Sequence, residues 1–182
     1  MKKKPISYIL HLTSEKGFTL IEILVVMGVL GIIIGSAFFT LNPLEQLQKS
    51  RDAQRKNDLA QIQRALETFY NDYGRYPENT ADYKIDEDTS AGIAELNWGD
   101  SWAPYITTLP KDPSSGRRYV YSSADSQSYR LYASLERGGK DLDICKPDGT
   151  VCDNAPPTAT FPCGSSANEV CNYGVSSPNV SP

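Results

Sequence analysis

Two hydrophobic patterns divide the chain. From Phe18 to Leu41 nearly every position is apolar, and Glu22 is the only ionisable residue among the 24. As a helix this run would be about 36 Å long, enough to cross a bilayer core of about 30 Å. Asn42 and Pro43 follow. A residue before proline is driven out of helical angles, so a kink or a brief break is expected there. Beyond it the pattern becomes periodic: Leu59, Ile62, Leu66, Phe69 and Tyr73 fall at spacings of 3, 4, 3 and 4. That is one apolar stripe on a helix from Leu44 to about Tyr73, and it predicts the face that carries a globular head. Gly74 supplies a stop, reinforced by Pro77. Gln46 to Asp58 shows little stripe and is polar all round, which points to a segment that bridges or meets neighbours; in a filament it would meet other subunits rather than its own head.

The rest reads as a small antiparallel head. Glu78 to Asp100 is an acidic loop region with a short helix expected around Ala91–Leu96. Trp98, Trp102, Tyr105 and Ile106 are expected to cover one end of the core. Arg117–Ser123 and Ser128–Glu136 alternate as two paired strands joined by a turn at Ala124–Gln127, with a third strand near Leu142–Lys146. Tyr129, Leu131, Ala133 and Leu135 share one face, with Arg130 and Tyr132 opposite. The predicted fold is α+β: a long N-terminal helix, membrane-spanning in its first half, packed on a small antiparallel sheet, with a loop-rich, disulfide-stapled C-terminal tail.

Composition changes the picture in three places. From Asp141 onward Gly, Pro, Ser, Thr and Asn rise, and all four cysteines appear: Cys145, Cys152, Cys163 and Cys171. Zinc ligands usually come as tighter Cys pairs, so disulfides are favoured over metal. Four cysteines allow three pairings; Cys145–Cys152 with Cys163–Cys171 closes two short loops and is the simplest. Residues after Tyr173 are expected to be disordered. The single histidine, His11, lies near the start, and there is no phosphate loop, nucleophile elbow or metalloprotease motif. No catalytic residue, metal or cofactor is therefore expected. The net charge is −4, which is poorly suited to general nucleic-acid binding. The local arginines Arg117, Arg118, Arg130 and Arg137 read as a solvated sheet face.

Lys2, Lys3, Lys4 and Lys16 precede the apolar run. Basic loading on that side places the N-terminus in the cytoplasm and the bulk of the chain outside. An ordinary signal peptide would be cut after its apolar run, at a small-residue site. Here the natural cut lies before it, between Gly17 and Phe18, and a carboxylate stands inside the run. Gly17, Phe18, Thr19, Leu20, Ile21 and Glu22 closely resemble the processing motif of type IV prepilins and type II secretion pseudopilins. Asn71 to Pro77, Trp102 to Pro113 and Gly116 to Tyr121 resemble the helix exit and head of major pseudopilins. The resemblance covers residues 17–136.

The resemblance implies a division into a cleaved leader (1–17), a membrane and filament-core helix (18–41), an amphipathic second half (42–73), a head (74–140) and a cysteine-containing tail (141–182). It implies cleavage after Gly17 by a prepilin peptidase, methylation of the new Phe18 amine, and an assembly ATPase and membrane platform protein as partners. Without the leader the side chains sum to −7 rather than −4. The expected function is a structural subunit of a type IV pilus-like surface filament, membrane-held as a precursor and extracellular when assembled into a homo-oligomeric helical fibre. Alternatives are a major pseudopilin of type II secretion, and a minor subunit acting as adhesin or DNA-uptake module. Glu22 has two readings. Thr19 and Glu22 fit a capping box. In a fibre, Glu22 would also neutralise the Phe18 amine of a neighbour and set axial register, since an acid in a membrane helix points to a partner. Gly28, Gly31 and Gly35 would permit close helix contact. Major pseudopilins often bind calcium in the tail region; Asp141, Asp143, Asp148 and Asp153 are the acids available, and they match no calcium-loop pattern.

Overall fold

A computed structural model describes residues 17–87, 95–156, 163–165 and 169–182. The leader before Gly17 and most of the expected 91–96 helix lie outside these; the described end of that segment, Glu95–Leu96, is a strand. The chain forms two units that divide after Pro43.

The first unit contains helix α1, Leu20–Leu41. Its mean hydropathy is 2.5 over Leu20–Ala37, and none of that window is buried. It stops because Asn42 adopts a left-handed conformation, φ 40°, which Asn tolerates better than most residues. Helix α2, Pro43–Tyr73, starts at the next residue, with proline at the first helical position where a missing N–H costs nothing. The break expected at Asn42–Pro43 is thus one residue long. At the far end Gly74 takes φ 68° and donates its N–H to Tyr70 O at 2.7 Å, a left-handed cap that suits glycine.

The second unit is α2 with two three-stranded antiparallel sheets. In the smaller, β1 (Glu78–Asn79), β2 (Ile85–Asp86) and β3 (Glu95–Leu96) lie in sequence order. In the other, β4 (Val120–Ser122) and β6 (Tyr173–Ser176) flank β5 (Arg130–Ala133). Tyr121 stands opposite Leu131, and Leu131 opposite Val175. The β4–β5 turn is fixed by Asp125, whose Oδ1 accepts from the N–H groups of Gln127 and Ser128 and the Ser128 hydroxyl. Those bonds hold the Asp125 carboxyl below its usual pKa.

Leu59, Ile62, Leu66 and Phe69 of α2 meet Tyr121, Leu131 and Ala133 of the sheet, and Tyr119 and Tyr129 just before β4 and β5, in the main core. Tyr73 extends the stripe but is 59% exposed, stacked on Phe69 with ring centroids 4.5 Å apart. Trp102 is buried beside Phe69, and Trp98, Tyr105 and Ile106 pack at the same cluster.

Four expectations are corrected. The strands are shorter than 117–123 and 128–136, because the flank of the first turns to the tail: Arg118 N–H donates to Cys163 O, and Arg117 pairs with Gly164. The third strand is β6, not 142–146. That stretch is held in turns, with Cys145 N–H on Asn172 O. Residues after Tyr173 are therefore ordered: β6 pairs the otherwise open edge of β5, a position proteins rarely leave bare. Finally, the outer sheet face is not solvated. Val120 and Tyr132 are fully buried under Cys152, Cys163 and Cys171, and the Arg117 guanidinium is committed to Ser134 O at 2.7 Å.

Candidate assembly site

Gly17 and Phe18 stand just before α1, and Phe18 is 77% exposed. A Cβ added at Gly17 would meet nothing within 4 Å, so the fold of the subunit places no demand for glycine there. Thr19 is the N-cap. Its hydroxyl accepts from Glu22 N–H at 3.3 Å, and the Glu22 carboxylate accepts from Thr19 N–H at 3.5 Å. The two orphan donors at the helix start are thereby satisfied reciprocally, with the acid also favoured by the helix dipole. Within one subunit Glu22 is thus a capping residue.

Beyond it α1 leaves Leu20, Ile21, Leu24, Met27 and Ile32 between 65% and 84% exposed. A contiguous apolar surface of this extent is foreign to a soluble monomer and marks a membrane or packing surface. The 22 residues of α1 reach about 33 Å, matched to a bilayer core. Ser36 donates its hydroxyl to Ile33 O at 2.9 Å, so that polar group is satisfied inside the helix. Gly28, Gly31 and Gly35 have open space where a Cβ would sit; nothing in the subunit itself requires them small.

The N-terminal half of α2 carries a feature absent from the hydrophobic pattern. Arg55 is fully buried, and its guanidinium forks onto Asp112 at 2.8 and 3.0 Å. It also donates to Asp52 at 2.9 Å, Glu136 at 3.0 Å and the Ser114 hydroxyl at 2.9 Å. Asp52 in turn accepts from the backbone N–H groups of Glu136 and Arg137 at 2.8 and 3.0 Å. Arg51 Nε donates to Glu136 at 2.7 Å. Burial alone would lower the Arg55 pKa, but Asp112 and Glu136 outweigh it and raise it. The hydrogen bond from Arg51, opposed by burial and aided by Arg55, holds Glu136 down at about 2. One turn on, the Tyr119 hydroxyl donates to Asp58 at 2.6 Å, and burial raises the Asp58 pKa. The expectation that Gln46–Asp58 faces only other subunits is thereby overturned. Asp52, Arg55 and Asp58 lie at intervals of three, in phase with Leu59 and Ile62. The phase was readable in the sequence; that charges would occupy a buried face was not.

Both disulfides are sequential, Cys145–Cys152 and Cys163–Cys171. They are knit together by the backbone: Cys152 N–H donates to Cys171 O and Cys145 N–H to Asn172 O, each at 2.9 Å.

The tail acids do not fit a calcium site. Lys56 Nζ takes Asp141 at 2.6 Å and Asp143 at 2.8 Å. Burial would lower the Lys56 pKa, but these two carboxylates outweigh it and raise it. Asp148 accepts the N–H and hydroxyl of Thr150, and Asp153 pairs with Lys146. Calcium takes six to eight oxygens, and among the described residues no three acid, His or Cys side chains gather to hold a metal.

An exposed apolar helix opened by a Thr–Glu capping box after Gly17 and Phe18, with a helix-plus-antiparallel-sheet head beyond it, defines a type IV pilin-like structural subunit. Comparison with known sequences narrows the class. The prokaryotic N-terminal methylation motif matches residues 12–38, and the type II secretion system (T2SS), protein G family matches residues 42–144. The chain belongs to that protein G family. Type II secretion system core protein G of Klebsiella michiganensis is 28% identical over 142 residues, 72% of this chain and 92% of that protein. The Vibrio cholerae core protein G is 28% identical over 131 residues, 70% and 86%. That of Pseudomonas aeruginosa is 29% identical over 135 residues, 71% and 92%. No solved structure gives a significant match. The family match ends at residue 144, one position before the first cysteine, so β6 and both disulfides lie beyond it.

Proposed function

We propose that this chain is the major pseudopilin of a type II secretion system, a structural subunit rather than an enzyme. The precursor is held in the cytoplasmic membrane by α1, with its N-terminus in the cytoplasm and its head on the outer side. A prepilin peptidase cuts between Gly17 and Phe18, and the new Phe18 amine is methylated. A platform protein and an assembly ATPase then feed subunits into a short fibre whose core is packed α1 helices. The family match over 42–144 favours a secretion pseudopilus over a surface pilus.

Assembly is driven by burying the exposed apolar surface of α1, and its register is set by charge. In the fibre core an unpaired Glu22 carboxylate or Phe18 ammonium is expensive, and each is the other's cheapest partner. The observation that carries this reading is the exposed apolar surface of α1 with Glu22 as its one acid, and the capping box makes it testable. Gln at the third helical position keeps a capping box, while it abolishes the charge. Glu22→Gln should therefore be inserted, cleaved and folded, yet should leave mature subunit in the membrane without fibres and without secretion. Glu22→Ala should fail in the same way. Immunoblots of membrane fractions, electron microscopy of sheared material and a secretion assay read the outcome. Wild-type fibre numbers in Glu22→Gln would reduce Glu22 to a helix cap and refute the register mechanism.

A further inference from the structure

Asp141 and Asp143 are two residues apart and turned toward the same point. Two carboxylates so held repel unless a cation sits between them. The cation present belongs to the chain. We propose that Lys56 is a tethered cation that closes this acidic turn onto α2, so that the head is complete without a divalent metal.

Three observations support it. First, the ammonium is shared: Lys56 Nζ lies 2.6 Å from Asp141 Oδ1 and 2.8 Å from Asp143 Oδ2. Asp141 Oδ1 also accepts the N–H of Asp143 at 3.0 Å, which fixes the turn. Second, the site is sheltered on the helix side. The Lys56 side chain is 24% exposed and that of Asp141 12%, while Asp143 is 68% exposed. Lys56 Nζ also lies 5.7 Å from the centre of the Tyr173 ring, the first residue of β6, within range of a cation–π attraction. One ammonium therefore joins α2, the 141–143 turn and the start of β6. Third, no third acid joins the pair: among the described residues no three His, Cys, Asp or Glu side chains gather to hold a metal, and Asp148 and Asp153 are turned to Thr150 and Lys146. A free divalent ion would find two carboxylates here, both already turned to the Lys56 ammonium. A cation carried on α2 loses no translational freedom when seated and does not depend on ion concentration outside the cell. This inference stands apart from the secretion role, and its test needs no fibre.

Amide hydrogen exchange of the full chain in detergent, read on peptides spanning 141–145 and 173–176, decides it. Fluorescence of Trp98 and Trp102 reports in parallel that the head is folded. The wild type should show the same protection in millimolar EDTA and in millimolar calcium. Lys56→Met, which keeps length and loses charge, should exchange about tenfold faster in both peptides. Lys56→Arg should stay within about twofold of wild type. Asp143→Asn, at an exposed carboxylate that no core contact needs, should give a smaller rise of about threefold, so the proposal stays decidable if Lys56→Met unfolds. Calcium-enhanced protection of the wild type would overturn it, because a metal would then occupy the turn. So would unchanged exchange in both Lys56→Met and Asp143→Asn.

Discussion

Arg55→Met is the sharpest test of how α2 is fixed to the head. The substitution keeps much of the side-chain volume and removes a guanidinium whose every N–H is used, on Asp112, Asp52, Glu136 and Ser114. Three carboxylates with side chains no more than 10% exposed are left facing each other. Breaking a buried ion pair from one side costs about 3–5 kcal/mol. For the 139 residues Leu44–Pro182, an unfolding entropy of about 0.29 kcal/mol/K makes each kcal/mol worth about 3.4 °C, so Tm should fall by roughly 10–17 °C. The two tryptophans, Trp98 and Trp102, both belong to the head, so their fluorescence follows its melting without interference from α1. The sign of the pH dependence is fixed as well. Glu136 has a depressed pKa of about 2 in the fold against an ordinary 4.5. Its contribution is complete above about pH 4.5 and is lost as pH falls toward 2. In Arg55→Met the repulsion among the carboxylates is relieved over the same descent. The gap between variant and wild type should therefore be widest near pH 7 and should shrink below pH 4.5. A loss under about 3 °C at pH 7, or a gap that does not change with pH, would refute the assignment of Arg55 as the fastening between helix and head.

Two further outcomes are expected. Gly17→Val should leave uncleaved precursor in the membrane and no fibres, since the subunit itself has room for a side chain there and the demand for glycine is then the peptidase's; N-terminal sequencing that finds Phe18 at the start of the variant would sink this. Replacing Cys163 and Cys171 by Ala opens a loop spanning a sequence separation of 8, which should cost about 2.5 kcal/mol and speed amide exchange in β5 on its β6 side, whereas an unchanged melting curve would show that β6 needs no staple.

The legible parts of the fold were those written in apolar residues at a fixed period. The stripe Leu59, Ile62, Leu66 and Phe69 lies buried as its spacing requires, and the Asn42–Pro43 break follows from local backbone sterics alone. The strand faces around Leu131 and Tyr132 alternate as read. Long-range pairing was not legible. β6 is short, and it contains Gly174 and Ser176, which advertise no strand. Its place is decided by Cys171, two residues upstream, and by the bare edge of β5, neither of which is a local property. The cover over the arginine-bearing face is equally non-local: the buried cysteines that cover Tyr132 are 20 or more residues away in sequence.

Gln46–Asp58 hides its inward face for a different reason. A helix that is polar on all sides carries no apolar stripe to mark its inward face. Charges can hold an inward face when their partners are supplied from elsewhere, and Asp112 and Glu136 supply them from loops 57 and 81 residues away. The phase was the better guide, since Asp52 and Arg55 continue the line of Leu59 and Ile62. Once that line is assigned to the head, the remaining face is defined by subtraction. Lys49, Ala53, Gln54, Asn57, Gln61 and Arg64 are exposed along the other side of α2, small or polar and without a carboxylate. In the proposed fibre this is the side of α2 free to meet neighbours. The polarity of the half-helix therefore has two causes: a buried ionic fastening on one face, and a solvated packing surface on the other.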